Sequence, residues 1–208
     1  AILLQIDYIK EKMSNSDGLY SCIKNIEIAA TNINNFISDL LTFAKELKLM
    51  REVISVDELI QSLQSKINIF LRIGGMVSIK FERKENFMLC CDRKYLEQAI
   101  FNLIKNAVEA IPAQGEVNVL FLKMGDSCYI EVKDTGKGIS SQIKDLLFTP
   151  FITTKKNGVG LGLAFTKKIV DAHQGTIEIG YTGEAGTSFQ IKIPLNVRED
   201  RSLSVEQK

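Results

Sequence analysis

Between residues 18 and 50 the apolar positions Leu19, Ile23, Ile26, Ala30, Ile33, Ile37, Leu40, Ala44 and Leu47 recur in alternating steps of four and three. That spacing predicts a long amphipathic helix with a coiled-coil seam of about four heptads. The shorter stretch before it repeats the spacing at Ile2, Ile6, Ile9 and Met13, and residues 14–18 (SNSDG) read as a turn, so the N-terminal part is expected to be a helical hairpin. So narrow a seam gives a lone hairpin little core. Pairing two copies into a four-helix bundle would bury both stripes, which predicts a homodimer; the alternative is a single hairpin packed on the rest of the chain.

From residue 51 the pattern changes. Ser55 followed three positions later by Glu58 is a capping-box start for a helix to about Arg72, and Gly74 and Gly75 break it. Residues 76–81 and 86–91 read as short strands, and Asp92 is a good N-cap for a helix ending before Pro112. Alternating segments at 116–123 and 127–134 predict one hairpin; 176–181 and 187–194, joined through Gly183 and Gly186, predict a second. The expected fold class is α+β: a helical hairpin followed by a two-layer α/β sandwich with a mixed, mostly antiparallel sheet. The expected division is 1–50, 51–198 and a polar, frayed tail at 199–208.

Composition sharpens this only slightly. With 45% hydrophobic and 25% charged residues the chain can form a real core, and a net charge of +1 gives no reason to expect nucleic acid or an anionic membrane surface as partner. Cys22, Cys90, Cys91 and Cys128 show no CxxC spacing and read as reduced thiols rather than metal ligands. No apolar run approaches ~18 residues and the start lacks a signal-peptide layout, so a cytoplasmic location without membrane contact by this chain is expected.

The candidate chemistry lies in residues 134–162. Asp134 closes an alternating strand and is followed by the glycine turn DTGKGI. Gly158, Gly160 and Gly162 lead directly into the helical pattern LAFTKKIVDAH, so free amides and the positive helix end face whatever the glycines admit. Thr153, Thr154, Lys155 and Lys156 add hydroxyls and positive charge. Either turn alone reads as an ordinary surface turn; together they point to a polyphosphate. There is no GxxxxGK[ST] loop, and Gly160-Leu161-Gly162-Leu163-Ala164-Phe165 fails the dinucleotide fingerprint at its last position, so the common nucleotide folds are disfavoured. Upstream, Asn102 and Asn106 share one helix face.

The segment YLEQAIFNLIKNAVEA resembles the N box of the histidine-kinase catalytic domain, DTGKGI its first glycine box, LFTPF its F box, GVGLGL its second glycine box, and Gly186-Thr187-Ser188-Phe189 its last. The likeness covers roughly residues 55–195, and the N-terminal hairpin is similar to that family's dimerisation region. The resemblance implies the Bergerat (GHKL) ATPase fold and an ATP-dependent protein-histidine kinase of bacterial two-component systems. Its cofactors would be ATP and Mg²⁺, and its partners a second copy and a response-regulator receiver domain. The chain would sit in the cytoplasm, free or as the cytoplasmic part of a membrane sensor.

The resemblance also implies roles. Asn106 would hold Mg²⁺ and, with Thr154 and Lys155, form the catalytic set; Asn102 would line the phosphate end. Lys105 would reach a phosphate or stay solvated. Asp134 would accept from the exocyclic amine of adenine while Gly136, Gly138 and Ile139 let the base lie against the backbone, with Thr187 in the same pocket. Thr153, Thr154, Lys155, Gly158, Val159, Gly160, Leu161 and Gly162 would cover the phosphates. Phe148 and Phe151 would anchor this cover in the core, act as plain core residues, or both.

Departures matter as much. The family's phosphoacceptor H box is absent, so either the sequence begins just after it or the protein is a relative without an acceptor, an ATP-binding dimeric scaffold. The only histidine, His173, ends the helix after the second glycine box and reads as structural, favouring the negative helix end and a free carbonyl. Gln174 stands where the family often has Gly. Related ATPases activate water with a glutamate near the start of the N-box helix, about where Glu97 or Gln98 falls, while Glu109 lies further along; weak intrinsic hydrolysis is expected. A clamp ATPase of the gyrase or chaperone kind would have no use for the heptad hairpin.

Overall fold

The computed structural model describes Ile6 and residues 18–71, 77–155 and 158–196. These divide into two compact units, one of Ala1–Glu46 with Phe151–Leu161, the other of Leu47–Pro150 with Gly162–Lys208. In the first, helix α1 (Gly18–Ala44) runs for 27 residues, about 40 Å at 1.5 Å per residue. It carries the heptad stripe, and Ile26, Ile33, Ile37 and Leu40 on it are exposed. Ile6 is helical and buried, but the rest of the expected first helix and the turn at 14–17 lie outside the described residues. Among the described residues no helix is long and apolar enough to cross a membrane.

The second unit runs β1 (Glu52–Ser55), α2 (Val56–Leu71), β2 (Val77–Arg83), β3 (Met88–Cys91), α3 (Arg93–Ala110), β4 (Gly115–Met124), β5 (Ser127–Asp134), α4 (Ser141–Lys144), α5 (Gly162–Ala172), β6 (Thr176–Gly183) and β7 (Gly186–Pro194). The main sheet has the order β2-β4-β5-β7-β6, with β2 and β4 parallel and the other pairs antiparallel. β1 and β3 form a separate antiparallel pair. β1 was not expected: four residues directly before a capping box carry no alternation long enough to read.

Local signals explain the element ends. The capping box closes both ways, with Ser55 N donating to Glu58 Oε2 at 2.8 Å and Glu58 N donating to Ser55 Oγ at 3.2 Å. Asp92 caps α3 by accepting from Tyr95 N at 3.1 Å. The period-2 pattern of the strands sends Val117, Val119, Phe121, Cys128, Ile130, Val132, Phe189, Ile191 and Ile193 to one buried face. Onto that face pack Leu59 and Leu63 of α2 and Leu96, Ile100, Leu103 and Ile104 of α3, all fully buried. Each such side chain contributes roughly 1.5–3 kcal/mol through burial. Burial pushes the thiols of Cys91 and Cys128 up to about 12, which makes them unreactive core residues. Cys22 is exposed.

A polar junction ties the entry of the unit to two helices. Met50 N donates to Asp92 Oδ2 at 2.8 Å and Arg51 Nη2 donates to Ala172 O at 3.0 Å. Asp92 N donates to His173 Nε2 at 3.0 Å, so the ring proton sits on Nδ1, which lies 2.8 Å from Ile169 O and donates to it. His173 is therefore structural, as expected, but neutral: its service is two hydrogen bonds at a buried helix end, and no positive charge meets the helix dipole. Burial lowers its pKa and Arg51 adds to this, against the opposing pull of the Ile169 carbonyl and Asp92. Gln174 takes the left-handed conformation, φ 59°, that glycine would adopt more easily.

Because the folded pKa of His173 lies below the ordinary 6.5, its neutral form contributes stability that is complete above that value and is lost as pH falls through it toward the folded pKa. Urea unfolding at a series of pH values should show this loss beginning near pH 6.5. His173→Leu should be less stable at neutral pH, since Asp92 N–H loses its partner, and should lack this part of the slope.

Candidate nucleotide site

Asp134 ends β5 in a closed setting. The residue is 3% exposed, and its Oδ1 accepts from Gly136 N at 2.7 Å and Thr187 N at 3.2 Å. Among the described residues no donor reaches Oδ2. Burial raises the carboxyl pKa, and the two amide hydrogen bonds only partly offset it. Its first oxygen is thus a fixed acceptor held by two backbone amides. The turn behind it needs its glycines: Gly138 has φ +71° and a Cβ there would lie 2.2 Å from Gly183 O, while a Cβ on Gly186 would lie 1.9 Å from Asp134 O.

α3 reaches the same loop. Lys137 N donates to Ala110 O at 3.2 Å, so the C-terminal end of α3 is held against the turn that follows Asp134. Asn106, half-buried, lies one turn before Ala110, and Asn102 one turn before that. Asn102 Nδ2 lies 3.5 Å from Gly162 O, so this face of α3 adjoins the first turn of α5. A Cβ on Gly162 would meet nothing within 4 Å, so the chain is uncrowded at the first residue of that helix. Lys105 is exposed and 4.0 Å from Glu109, a solvated ion pair. Phe148 packs edge-on to Phe189, with ring centroids 6.3 Å apart.

In the other unit, residues 151–161 close on themselves. Phe151 N donates to Gly160 O at 2.9 Å, and Gly160 has φ +74° with no room for a Cβ beside Phe151 and Ile152. Thr153 Oγ1 accepts from Lys155 N at 3.1 Å and Gly158 N donates to Lys155 O at 3.2 Å. Thr153, Thr154 and Lys155 are exposed, Val159 is half-buried and Leu161 is buried. Lys156 lies outside the described residues. One expectation is corrected here: Phe151 is 55% exposed with φ 68°, so of the two phenylalanines only Phe148 packs on the core.

Within one unit the structure thus gathers Asp134, Gly136, Gly138, Ile139 and Thr187 around the end of β5, with Asn102, Asn106 and Gly162 nearby along α3 and α5. Glu97 is excluded as a water-activating base. Burial would raise its carboxyl, but hydrogen bonds from Lys66, Ser62 and Arg93 outweigh this and hold its pKa down. Thr182 escaped the sequence reading; its Oγ1 accepts from Ile139 N at 2.8 Å, and a threonine in a strand carries no signal of such a bond.

These residues fit an adenine nucleotide. A buried carboxylate with a free oxygen suits an exocyclic amine, and the amides of a helix N-terminus suit phosphate. Among the described residues no group of three His, Cys, Asp or Glu could hold a metal, so a divalent cation would depend on the Asn106 amide together with phosphate oxygens.

Residues 91–197 match the family described as histidine kinase-, DNA gyrase B-, and HSP90-like ATPase. The chain is 33% identical over 165 residues to sporulation kinase A of Bacillus subtilis, which covers 79% of this chain and 27% of that protein. It is 30% identical over 176 residues to the signal transduction histidine-protein kinase AtoS of Escherichia coli, covering 83% and 28%. It therefore spans about a quarter of the length of these relatives. Among solved structures it is similar to the catalytic domain of histidine kinase ThkA, with TM-score 0.64 and 28% identity over 71% of this chain and 97% of that one. ThkA in complex with the response regulator protein TrrA shares the fold, with TM-score 0.71 at 24% identity over 94% and 57%. With five motif blocks in order and the expected sandwich topology, the chain belongs to the histidine kinase-, DNA gyrase B- and HSP90-like ATPase family, as a catalytic ATPase domain of the histidine-kinase type.

Proposed function

We propose that this domain binds Mg-ATP and serves transfer of the γ-phosphoryl group to a histidine on a dimerisation helix, and thence to an aspartate of a response-regulator receiver domain. The observation that carries the nucleotide part is Asp134, a buried carboxylate whose one oxygen is fixed by Gly136 and Thr187 amides while the other is open. Asp134 would take the adenine amine, and Gly136, Gly138 and Ile139 would face the ring. Asn106 would hold Mg²⁺, which supplies charge neutralisation at the phosphates when bound. Asn102 and the amides from Gly162 would orient the phosphates. Thr153, Thr154, Lys155, Gly158, Val159, Gly160 and Leu161 take the phosphate-covering role that family membership suggests.

Glu97 does not act as a base toward water, since it is spent on Lys66 and Arg93. His173, the only histidine of this sequence, does not serve as the acceptor, because it is buried with both ring nitrogens engaged. The same observation supports a second reading, an ATP-binding dimeric scaffold without an acceptor. The heptad stripe exposed on α1 supports residues 1–50 as the dimerisation hairpin; residues 51–198 would be the catalytic domain, acting in the cytoplasm, free or attached to a membrane sensor.

Asp134→Asn should weaken ADP binding by about ten- to a hundredfold, the worth of a charge-assisted hydrogen bond, in isothermal titration. Because burial already penalises the ionised carboxylate, the variant should melt no lower than wild type. In the wild type, ADP affinity should fall on the acid side as Asp134 takes up a proton, beginning above its ordinary pKa of 3.8. Asn106→Ala should bind ADP equally with Mg²⁺ or with EDTA, having lost the metal contribution. Incubating the full-length protein with γ-labelled Mg-ATP separates the two readings: acid-labile, base-stable label on a histidine supports the kinase, and bound ATP without label supports the scaffold.

A further inference from the structure

We infer that Thr182 is a positioning and specificity-determining residue of the nucleotide site, acting through Ile139 and Thr187. This rests on the reading of the Asp134 pocket as the adenine end. Thr182 and Thr187 face each other across the β6–β7 hairpin, and the adjoining pair, Gly183 and Gly186, sits against the backbone of Gly138 and Asp134. The hairpin therefore presses on the loop that carries the carboxylate.

Within that contact the hydroxyls form a chain. Thr182 Oγ1 accepts from Ile139 N at 2.8 Å and lies 3.3 Å from Thr187 Oγ1. Thr187 is 3% exposed, and its amide fixes Asp134 Oδ1. A hydroxyl has one proton and two lone pairs. An amide N–H donated into Thr182 polarises its O–H and makes it the better donor, so the chain runs from Ile139 N–H to Thr182 and from Thr182 O–H to Thr187 Oγ1. The Thr187 proton is then left for a third group, beside a carboxylate that can only accept.

Acceptor beside donor is the complement of adenine's edge, where an exocyclic amine adjoins a ring nitrogen with a lone pair. Guanine presents the reverse, a carbonyl oxygen beside a ring N–H. By setting the direction of the Thr187 proton, Thr182 makes the pocket select adenine without touching the base. It also holds the amide of Ile139, and with it the loop after Gly138.

The test is isothermal titration of ADP and GDP into wild-type chain, Thr182→Val and Thr182→Ser, with melting temperatures recorded for each. Thr182→Val keeps the shape and loses the hydroxyl; its ADP affinity should fall about tenfold and its preference over GDP should narrow. Thr182→Ser keeps the hydroxyl and should stay near wild type in both. Unchanged ADP binding by the Val variant, or equal loss in the Ser variant, overturns the proposal, the second by showing that packing of the methyl group is what matters. Should the Val variant melt too low to titrate, Thr182→Ala replaces it under the same criteria. A wild-type chain that binds no ADP overturns the adenine reading itself, and does so without reference to Thr182.

Discussion

The second unit depends on one constraint: α3 is held at both ends by residues distant in sequence. At its start Asp92 caps the helix and, through its own backbone, binds His173 at the end of α5. At its finish Ala110 O takes the Lys137 amide of the loop after Asp134. Between these two clamps the apolar side of the helix is locked by Leu96, Ile100, Leu103 and Ile104, all fully buried. Asn102 and Asn106 can then stand at fixed positions on one side of α3. Were either clamp loose, the helix could slide or rotate, and a rotation of one residue would exchange amide for aliphatic surface.

Two buried carboxylates show how the same side-chain type is put to different ends. Glu97 is almost as buried as Asp134, but two cations and a hydroxyl saturate it, so it is a structural ion anchored between α2 and α3. Asp134 meets only neutral amides on one oxygen, and its charge is not repaid within the protein. An unpaid buried charge is a cost to folding unless a ligand supplies the missing donor. That difference, more than the presence of an acidic residue, is what separates the carboxylate proposed for the nucleotide from the structural one.

Much of this was legible before any coordinates. The heptad stripe, the capping box at Ser55 and Glu58, the Asp92 cap and the two glycine turns each rest on a local rule, and local rules survive folding. What escaped were features decided by distant neighbours. Nothing in the sequence shows that Glu97 would be claimed by Lys66, thirty-one residues away, or that Phe151 would turn outward on a left-handed backbone while Phe148 packed inward. β1 is too short to display its alternation and exists because β3 offers it a ladder. Thr182 looks like any strand threonine until β6 is laid against the Gly138 loop. The charge state of His173 likewise depended on a partner, since a free amide at Asp92 requires a lone pair where a helix end alone would have favoured a cation.

The junction at Met50 and Arg51 has a mechanical side. The chain enters the unit through two hydrogen bonds, one to the cap of α3 and one to the last turn of α5. A pull along residues 47–51 is therefore divided between α3 and α5, and reaches the main sheet through the core side chains of α3. Tension at the entry is thus felt first by the helices that carry Asn102 and Gly162.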